Sequence, residues 1–151
     1  MKAMKKVILL MALLGLVVAH GQVLEPVKWS TSVKKITDTE YELIATATID
    51  NGWHLYSQVV PEDGPIPTRF SYQSNEKYLK KGNTQEESGE TVFDPVFEMD
   101  IKYFDSKATF KQRIRLKGKV PFTVKGTVEF MVCDESRCLP PTEVELVFNV
   151  K

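Results

Sequence analysis

The feature that most constrains the fold is an alternation of apolar and polar residues with a period of two. From 39 to 49 the apolar side chains stand at odd positions, and only Ile44 interrupts the pattern. The same alternation runs through 108–117, 122–132 and 143–150. This period is typical of strands that bury one face, and no segment has a convincing helical period. The sequence therefore predicts an all-β fold, an immunoglobulin-like two-sheet antiparallel β-sandwich.

Turn-forming residues separate the alternating segments. The string Asp50-Asn51-Gly52 predicts a hairpin turn, because Asn and Gly tolerate positive φ. The stretches 61–67 and 74–90 are rich in turn formers and charged residues, which predicts flexible loops. In the third alternating segment Cys133 continues the row of polar positions. Strand parity therefore places this cysteine on the polar face.

The first 21 residues have the composition of an export signal. Lysines at positions 2, 5 and 6 precede an apolar run at 7–19, and small residues follow it. The run is too short to span a bilayer comfortably, and no later stretch approaches the roughly 20 apolar residues that a membrane helix needs. We expect cleavage after Gly21. This would leave one monomeric domain, 22–151, located in the periplasm or, as the alternative, secreted.

Charge and composition exclude several function classes. Without the three lysines of the signal, 17 basic residues face 20 acidic ones, a net charge of −3. Nucleic acid is an improbable partner at that balance. The mature chain would offer two cysteines and one histidine, His54, which are too few for a structural zinc site. No phosphate-binding glycine loop or nucleotide fingerprint is present, so we expect neither a metal nor a cofactor.

The two cysteines stand in Val132-Cys133-Asp134-Glu135-Ser136-Arg137-Cys138-Leu139-Pro140-Pro141. In an oxidising compartment they predict a disulfide. Because the loop is so small, chain entropy gives the bridge only about 2 kcal/mol. A structural staple and a functional redox pair therefore both stand as interpretations. Pro140 and Pro141 donate no backbone hydrogen bond, so we expect an open, rigid loop whose strand ladder ends before Cys138.

Two segments carry a resemblance to a known family. The cysteine segment with the following Thr142-Glu143 resembles the cysteine-bearing end of the N-terminal periplasmic domain of thiol:disulfide interchange protein DsbD. The string Asp50-Asn51-Gly52-Trp53-His54-Leu55-Tyr56 resembles that family's Asp-Gly-aromatic-aromatic-Leu-Tyr segment, which lies beside the active cysteines. The resemblance spans roughly 27–150 and implies an immunoglobulin-like domain.

The resemblance implies a thiol:disulfide oxidoreductase without a bound cofactor. Its reduced cysteine pair reduces disulfides of periplasmic partners and is then re-reduced by a thioredoxin-like domain fed from the membrane. The implied partners are thus thioredoxin-like periplasmic proteins and a membrane electron donor. Cys138 matches the partner-linking cysteine and Cys133 its resolving mate. Beside them, Arg137 favours the thiolate of Cys138, whereas Asp134 and Glu135 oppose its ionisation.

The family also has a mobile aromatic cap over the cysteines, with the sequence Asp-Glu-Phe-Tyr-Gly. Its counterpart here is expected in 93–100, which contains Asp94, Phe97 as the cap residue, and Glu98 where the family has glycine. An ordinary core aromatic is the alternative for Phe97. His54 and Tyr56 would share a strand face and line the cysteine pocket, with plain sheet packing as the alternative for Tyr56.

Two alternatives to a redox relay come from other classes. A papain-like pair of Cys138 and His54 is disfavoured, because a thiol with a nearby disulfide mate is normally oxidised in this compartment. The stronger rival is a non-catalytic exported binding domain whose disulfide is a staple. A typical DsbD chain continues into membrane helices and a thioredoxin-like domain, whereas this sequence ends at Lys151. We therefore expect either a free-standing relay served by separate membrane proteins or a domain that has kept the fold for binding.

Overall fold

The computed structural model describes residues 23–151, and the expected export signal lies outside the described residues. Within that range the chain is all-β, as predicted. The strands are β1 (Val27–Lys35), β2 (Glu40–Ile49), β3 (His54–Tyr56), β4 (Arg69–Tyr72), β5 (Tyr78–Glu86), β6 (Glu90–Asp94), β7 (Met99–Phe104), β8 (Lys107–Leu116), β9 (Phe122–Phe130), β10 (Val132–Cys133) and β11 (Thr142–Val150). Residues 23–151 hold no helix long and apolar enough to cross a membrane.

The strands form three sheets. Two of them face each other and enclose the main core, and the third lies at one end of this sandwich. One sheet has the order β1-β2-β8-β5, and the facing sheet has the order β11-β9-β4. The third sheet, with the order β10-β3-β7-β6, is an addition that the sequence did not predict. All of the strand pairs in these sheets are antiparallel. The main core therefore lies between sheets that each bury one face.

The predicted alternation is confirmed where it was strongest. In β2 the odd positions are buried, and in β8 Ala108, Phe110 and Ile114 are buried with Gln112 on the same face. The amide nitrogen of Gln112 donates to the carbonyl oxygens of Lys81 at 3.1 Å and Arg113 at 2.8 Å. These bonds satisfy a polar group that would otherwise destabilise the core.

Aromatic rings fill the middle of the main core. The Trp29 ring centroid lies 5.8 Å from that of Phe70, 5.7 Å from that of Phe110 and 5.5 Å from that of Phe130. These rings come from β1, β4, β8 and β9, so they join the two facing sheets. Edge-on and tilted contacts at these separations are the favourable arrangements for aromatic pairs. The core is therefore held by contacts distant in the sequence.

Two expectations about the turns and loops are wrong. Asp50-Asn51-Gly52 does form a tight turn, with Gly52 at φ 84° and the Trp53 amide donating to Asp50 at 3.1 Å. The turn joins β2 to β3 in a different sheet, however, so it is not a hairpin. The stretch 74–90 is not simply a loop, because it contains β5, an edge strand paired with β8. Its mostly polar side chains and a break in register between Lys81 and Gln85 hid the strand pattern.

The chain changes sheets within a single residue between β9 and β10, and this change positions the cysteine segment. β9 ends at Phe130 and pairs with β11 and β4, whereas β10 begins at Val132 and pairs with β3. At Met131 the chain therefore passes from the sandwich into the third sheet. The cysteines lie in the connection between the last two long strands, β9 and β11.

Replacing Phe110 by alanine should destabilise the domain by about 3–5 kcal/mol, because the ring is fully buried and the neighbours cannot refill the cavity. Phe93→Ala is the matched control, since that ring is 61% exposed, and it should change stability by no more than about 0.5 kcal/mol. Urea unfolding of both variants measures the difference. Equal losses would contradict the placement of the core.

Candidate functional site

The third sheet presents different residues on its two faces. Val132, Leu55 and Phe104 lie opposite one another across the ladders and pack into the main core. Because side chains alternate along a strand, the next residues, Cys133 and Tyr56, point to the other face. We call this the outer face. There Cys133, Tyr56 and Ile101 form a second, smaller buried cluster, which we call the outer cluster.

Cys133 is fully buried, so its expected place on a polar face is wrong in one respect. Strand parity does place its side chain on the other face of the sheet from that of Val132. That face is covered by other side chains, however, and is not exposed to solvent. Partly buried side chains pack over the outer cluster from several segments: Val60, Phe97, Met99, Tyr103, Met131 and Cys138. The cover comes from parts of the chain that parity within one strand cannot reveal.

Cys133 and Cys138 form a disulfide, with their Cα atoms 4.0 Å apart. The two residues also face each other as an antiparallel bridge, and the amide of Leu139 donates to the carbonyl of Val132 at 2.9 Å. The expectation that the ladder ends before Cys138 is therefore wrong, because Cys138 and Leu139 still carry backbone N–H groups. Pairing stops only at the prolines, and Pro140 is exposed.

The Asp134 carboxylate organises the short loop between the cysteines. Its Oδ1 accepts hydrogen bonds from the backbone amides of Ser136 and Arg137, both at 2.8 Å. These bonds, that of Ser136 above all, lower the pKa of Asp134 to about 2. The loop is closed further by the Asp134 amide, which donates to the Arg137 carbonyl at 2.9 Å. It is a fixed turn rather than a loose connection.

Arg137 contacts groups other than the cysteines. Its Nε lies 3.4 Å from Oδ2 of Asp134, and its guanidinium carbon lies 5.8 Å from the centroid of the Trp53 ring. The positive charge is therefore already shared with a carboxylate. This pairing limits the help that Arg137 gives to a Cys138 thiolate.

The two sulfur-bearing residues differ in exposure. Cys133 has no accessible surface, whereas Cys138 is partly exposed. A thiolate that attacks a disulfide must approach one sulfur from outside. In this geometry Cys138 is the cysteine that such a group meets first.

Asp94 fixes the loop that covers the outer cluster. We call residues 95–98, which join β6 to β7, the cap. Oδ1 of Asp94 accepts from the amides of Val96 at 2.8 Å and Phe97 at 3.2 Å, and its Oδ2 accepts from the Tyr56 hydroxyl at 2.6 Å. One buried carboxylate thus holds the cap backbone to β3. The structure places Asp94 against Tyr56, which lies in the outer cluster with both cysteines.

Phe97 lies on the outer cluster. Its ring meets that of Tyr56 edge-on, with the centroids 5.9 Å apart, and it packs in the group that contains both cysteines. It is therefore not a residue of the main core. Glu98 has φ 54°, in the left-handed region that favours glycine. This conformation agrees with the alignment of 94–98 on the five-residue cap sequence that ends in glycine.

His54 completes a polar group beside the disulfide. Its Nε2 lies 3.0 Å from the Tyr56 hydroxyl oxygen and 3.3 Å from Oδ2 of Asp94, and its ring stacks on Tyr103 with centroids 4.6 Å apart. Burial lowers the pKa of His54, although the Asp94 carboxylate opposes this. Burial likewise opposes ionisation of Asp94, but the hydrogen bonds from Tyr56 and the cap amides outweigh it and lower the pKa of Asp94.

Sequence reasoning missed several residues of this site. Ile101 and Tyr103 follow Met99 at a period of two on β7, so an alternation was present in a short segment. Val60 reaches the cluster from a proline-rich loop and had no sequence signal. An open groove of ≈ 770 Å³ beside His54 was also not expected. Its walls carry aromatic rings and carboxylates: Trp53, Phe93 and Tyr103 with Asp50, Asp94, Asp105 and Glu135.

Comparison with solved structures supports the fold. The N-terminal domain of DsbD from Neisseria meningitidis, in the reduced form, superposes with a TM-score of 0.52 at 15% sequence identity, over 80% of this chain and 84% of that chain. The N-terminal periplasmic domain of ScsB from Proteus mirabilis gives a TM-score of 0.55 at 15% identity, over 84% of this chain and 49% of that chain. This chain therefore spans about half of the ScsB structure. The predicted immunoglobulin-like fold is confirmed.

A search of curated proteins gave no match. The family model described as thiol:disulfide interchange protein DsbD, N-terminal, matches residues 22–149. This match covers most of the chain and includes both cysteines, the cap and the segment around His54. The chain therefore belongs to the DsbD N-terminal domain family.

Proposed function

We propose that residues 22–151 act in the periplasm as a thiol:disulfide interchange module, after removal of an export signal at 1–21. The module relays electrons through Cys133 and Cys138 to thioredoxin-like proteins and is re-reduced from a membrane electron donor. Supporting observations are the family membership and the disulfide between the two cysteines. The ScsB relative is itself described as a periplasmic domain.

The observation that carries this proposal is the position of the disulfide. It lies in the outer cluster, separate from the main core, beneath a single aromatic cap residue. A structural staple is most effective where it ties distant parts of a core, whereas this bridge closes a hairpin already fixed by Asp134. A bridge in this place is suited to being opened and reformed.

The proposed exchange follows the difference in exposure between the cysteines. The Cys138 thiolate attacks one sulfur of a partner disulfide, forms a mixed disulfide and releases the other partner sulfur as a thiolate. The Cys133 thiolate then attacks the sulfur of Cys138 and expels the partner's remaining thiolate. The partner gains two electrons and, with protons from water, two thiols. This protein is left with the Cys133–Cys138 disulfide, which a donor dithiol reduces by the reverse route.

Substituting each cysteine separately should distinguish their roles. The probe is a thioredoxin-like protein that keeps one cysteine, activated with thionitrobenzoate. Cys133→Ser should displace the thionitrobenzoate and form a mixed disulfide that persists on a non-reducing gel, because no internal thiol remains to release the partner. Cys138→Ser should trap much less, because Cys133 is buried. Equal trapping by both variants would contradict the assignment of roles.

Removing the cap side chain should uncover the cysteine pair. In the reduced protein, Phe97→Ala is expected to raise the rate of alkylation by iodoacetamide severalfold, because the Phe97 ring covers the outer cluster. Phe93→Ala provides the matched control, since the Phe93 ring is exposed on β6 and does not belong to that cluster. Quenched alkylation followed by mass spectrometry gives the rates. A rate unchanged by Phe97→Ala would show that this ring is not the barrier.

The rival function, a binding domain with a structural disulfide, makes a different prediction about stability. If the bridge is a redox pair, replacing both cysteines by serine should lower the free energy of unfolding by no more than about 2 kcal/mol and leave the fold intact. Urea unfolding and circular dichroism measure this. A variant that fails to fold, together with an absence of trapping by Cys133→Ser, would favour the binding domain.

A further inference from the structure

His54 lies where it can connect the redox pair to the cap. In the ladder of β3 and β10 it is the direct neighbour of Cys133. Its side chain stands on the outer face with that of Tyr56, and only 13% of the His54 side chain is exposed. On β7 the ring of Tyr103 stacks against it. The imidazole is therefore held in one orientation by packing on two strands.

The hydrogen-bond geometry determines which nitrogen of His54 carries a proton. The Tyr56 hydroxyl lies 2.6 Å from Oδ2 of Asp94 and donates its single proton to that carboxylate, which only accepts. The 3.0 Å contact between His54 Nε2 and the Tyr56 oxygen must then be donated by the ring. Oδ2 of Asp94 also lies 3.3 Å from the same nitrogen. His54 is thus a donor through Nε2, and Nδ1 is left to take up a proton.

The three side chains form a clasp between β3 and the cap. His54 donates to the Tyr56 hydroxyl, which in turn donates to Asp94. Asp94 also accepts from the cap amides of Val96 and Phe97. Loss of the hydrogen bond from His54 to Tyr56 weakens the position of Tyr56 and therefore of Asp94. Because Asp94 binds the cap amides, the cap backbone that carries the Phe97 ring then loosens. The connection runs by hydrogen bonds from the half-buried His54 through the buried Tyr56 and Asp94 to the cap backbone.

We propose that His54 is a positioning residue that holds the Tyr56 and Asp94 clasp closed and thereby sets how readily the cap uncovers the cysteine pair. This inference rests on the proposed redox function of that pair. It assigns to His54 a control over access to the sulfur atoms, and no transfer of a proton to or from them.

Acid should loosen the clasp. The titratable groups around the ring are Tyr56 on β3, Asp94 on β6, Tyr103 on β7, Asp105 in the β7–β8 turn and Asp134 in the cysteine loop, with Asp50 and Glu135 on the groove wall. Burial in the closed clasp outweighs the nearby carboxylates and lowers the pKa of His54. The proposed opening includes exposure of the His54 ring to water, which restores an ordinary pKa. Protons bind more tightly to the open form, so a fall in pH through about 6.5 favours opening.

The test measures access to the oxidised disulfide with tris(2-carboxyethyl)phosphine, a small reductant that needs no protein partner. At pH 8, His54→Ala should be reduced roughly threefold to tenfold faster than the parent protein, the effect of one lost hydrogen bond between neutral groups. His54→Gln should restore the slow rate, because its amide nitrogen donates from nearly the same position. The reduced fraction is followed by quenched alkylation and mass spectrometry.

The pH profile separates positioning from mere packing. The ratio of the parent rate to the His54→Gln rate should rise as pH falls from 8 to 5, since only the parent ring titrates and the reductant's own protonation cancels in the ratio. Tyr103→Phe, which keeps the stacked ring, should leave this profile unchanged. A flat ratio, or a glutamine variant no slower than the alanine variant, would overturn the assignment. Failure of Cys133→Ser to trap a partner would instead reject the relay and leave the clasp standing.

Discussion

The pairing of β10 with β3 is the constraint on which the rest of the site depends. These strands have two and three residues, yet their register is fixed because Val132 and Leu55 are buried in the main core. A slip of one residue would turn both apolar side chains outward and bring His54 and Cys133 into the main core. The hydrophobic energy of the sandwich therefore holds the cysteine, its histidine neighbour and Tyr56 on one face.

An aspartate carboxylate that accepts backbone hydrogen bonds fixes both the cap and the loop between the cysteines. Asp94 and Asp134 each accept hydrogen bonds from the amides two and three residues later, so a carboxylate at the end of a strand shapes the turn that follows. Both groups have lowered pKa values. A carboxylate of this kind stabilises the fold fully above its unfolded pKa near 4, and the contribution of Asp134 is lost only as pH falls toward about 2. The cysteine loop should therefore keep its shape in mild acid.

Much of the sandwich is readable from the sequence, because long strands with one buried face leave an unambiguous period of two. This holds for β2, β8, β9 and β11. The third sheet was not predictable in that way, since β3 and β10 are too short to show a period. β5 was missed because an edge strand with a bulge buries little and carries polar residues. For β3, β5 and β10 the sequence itself shows no clear period of two.

The features of the candidate site also differ in whether neighbouring residues or distant segments determine them. Resemblance of local motifs predicted one site made of the cysteines, Tyr56, Asp94 and Phe97, since their neighbours in the sequence carry the signal. Burial of Cys133 was not deducible, because its cover includes Val60 and Met99 from separate segments. The bonds of His54 depend on where β6 places Asp94 beside Tyr56, and the sequence of β3 does not show this.

The separation of the two clusters reconciles a stable domain with the proposed reactivity of the disulfide. Opening the cap would break contacts of Phe97 with the outer cluster and the bonds of Asp94, while Val132 and Leu55 remain in the main core. Local openings that leave most apolar contacts intact need far less free energy than global unfolding. The sulfur of Cys138 can thus become accessible many times in the lifetime of the fold. Because the disulfide lies on the far side of the third sheet from the main core, we expect the sandwich to keep its structure when the disulfide is reduced and reformed.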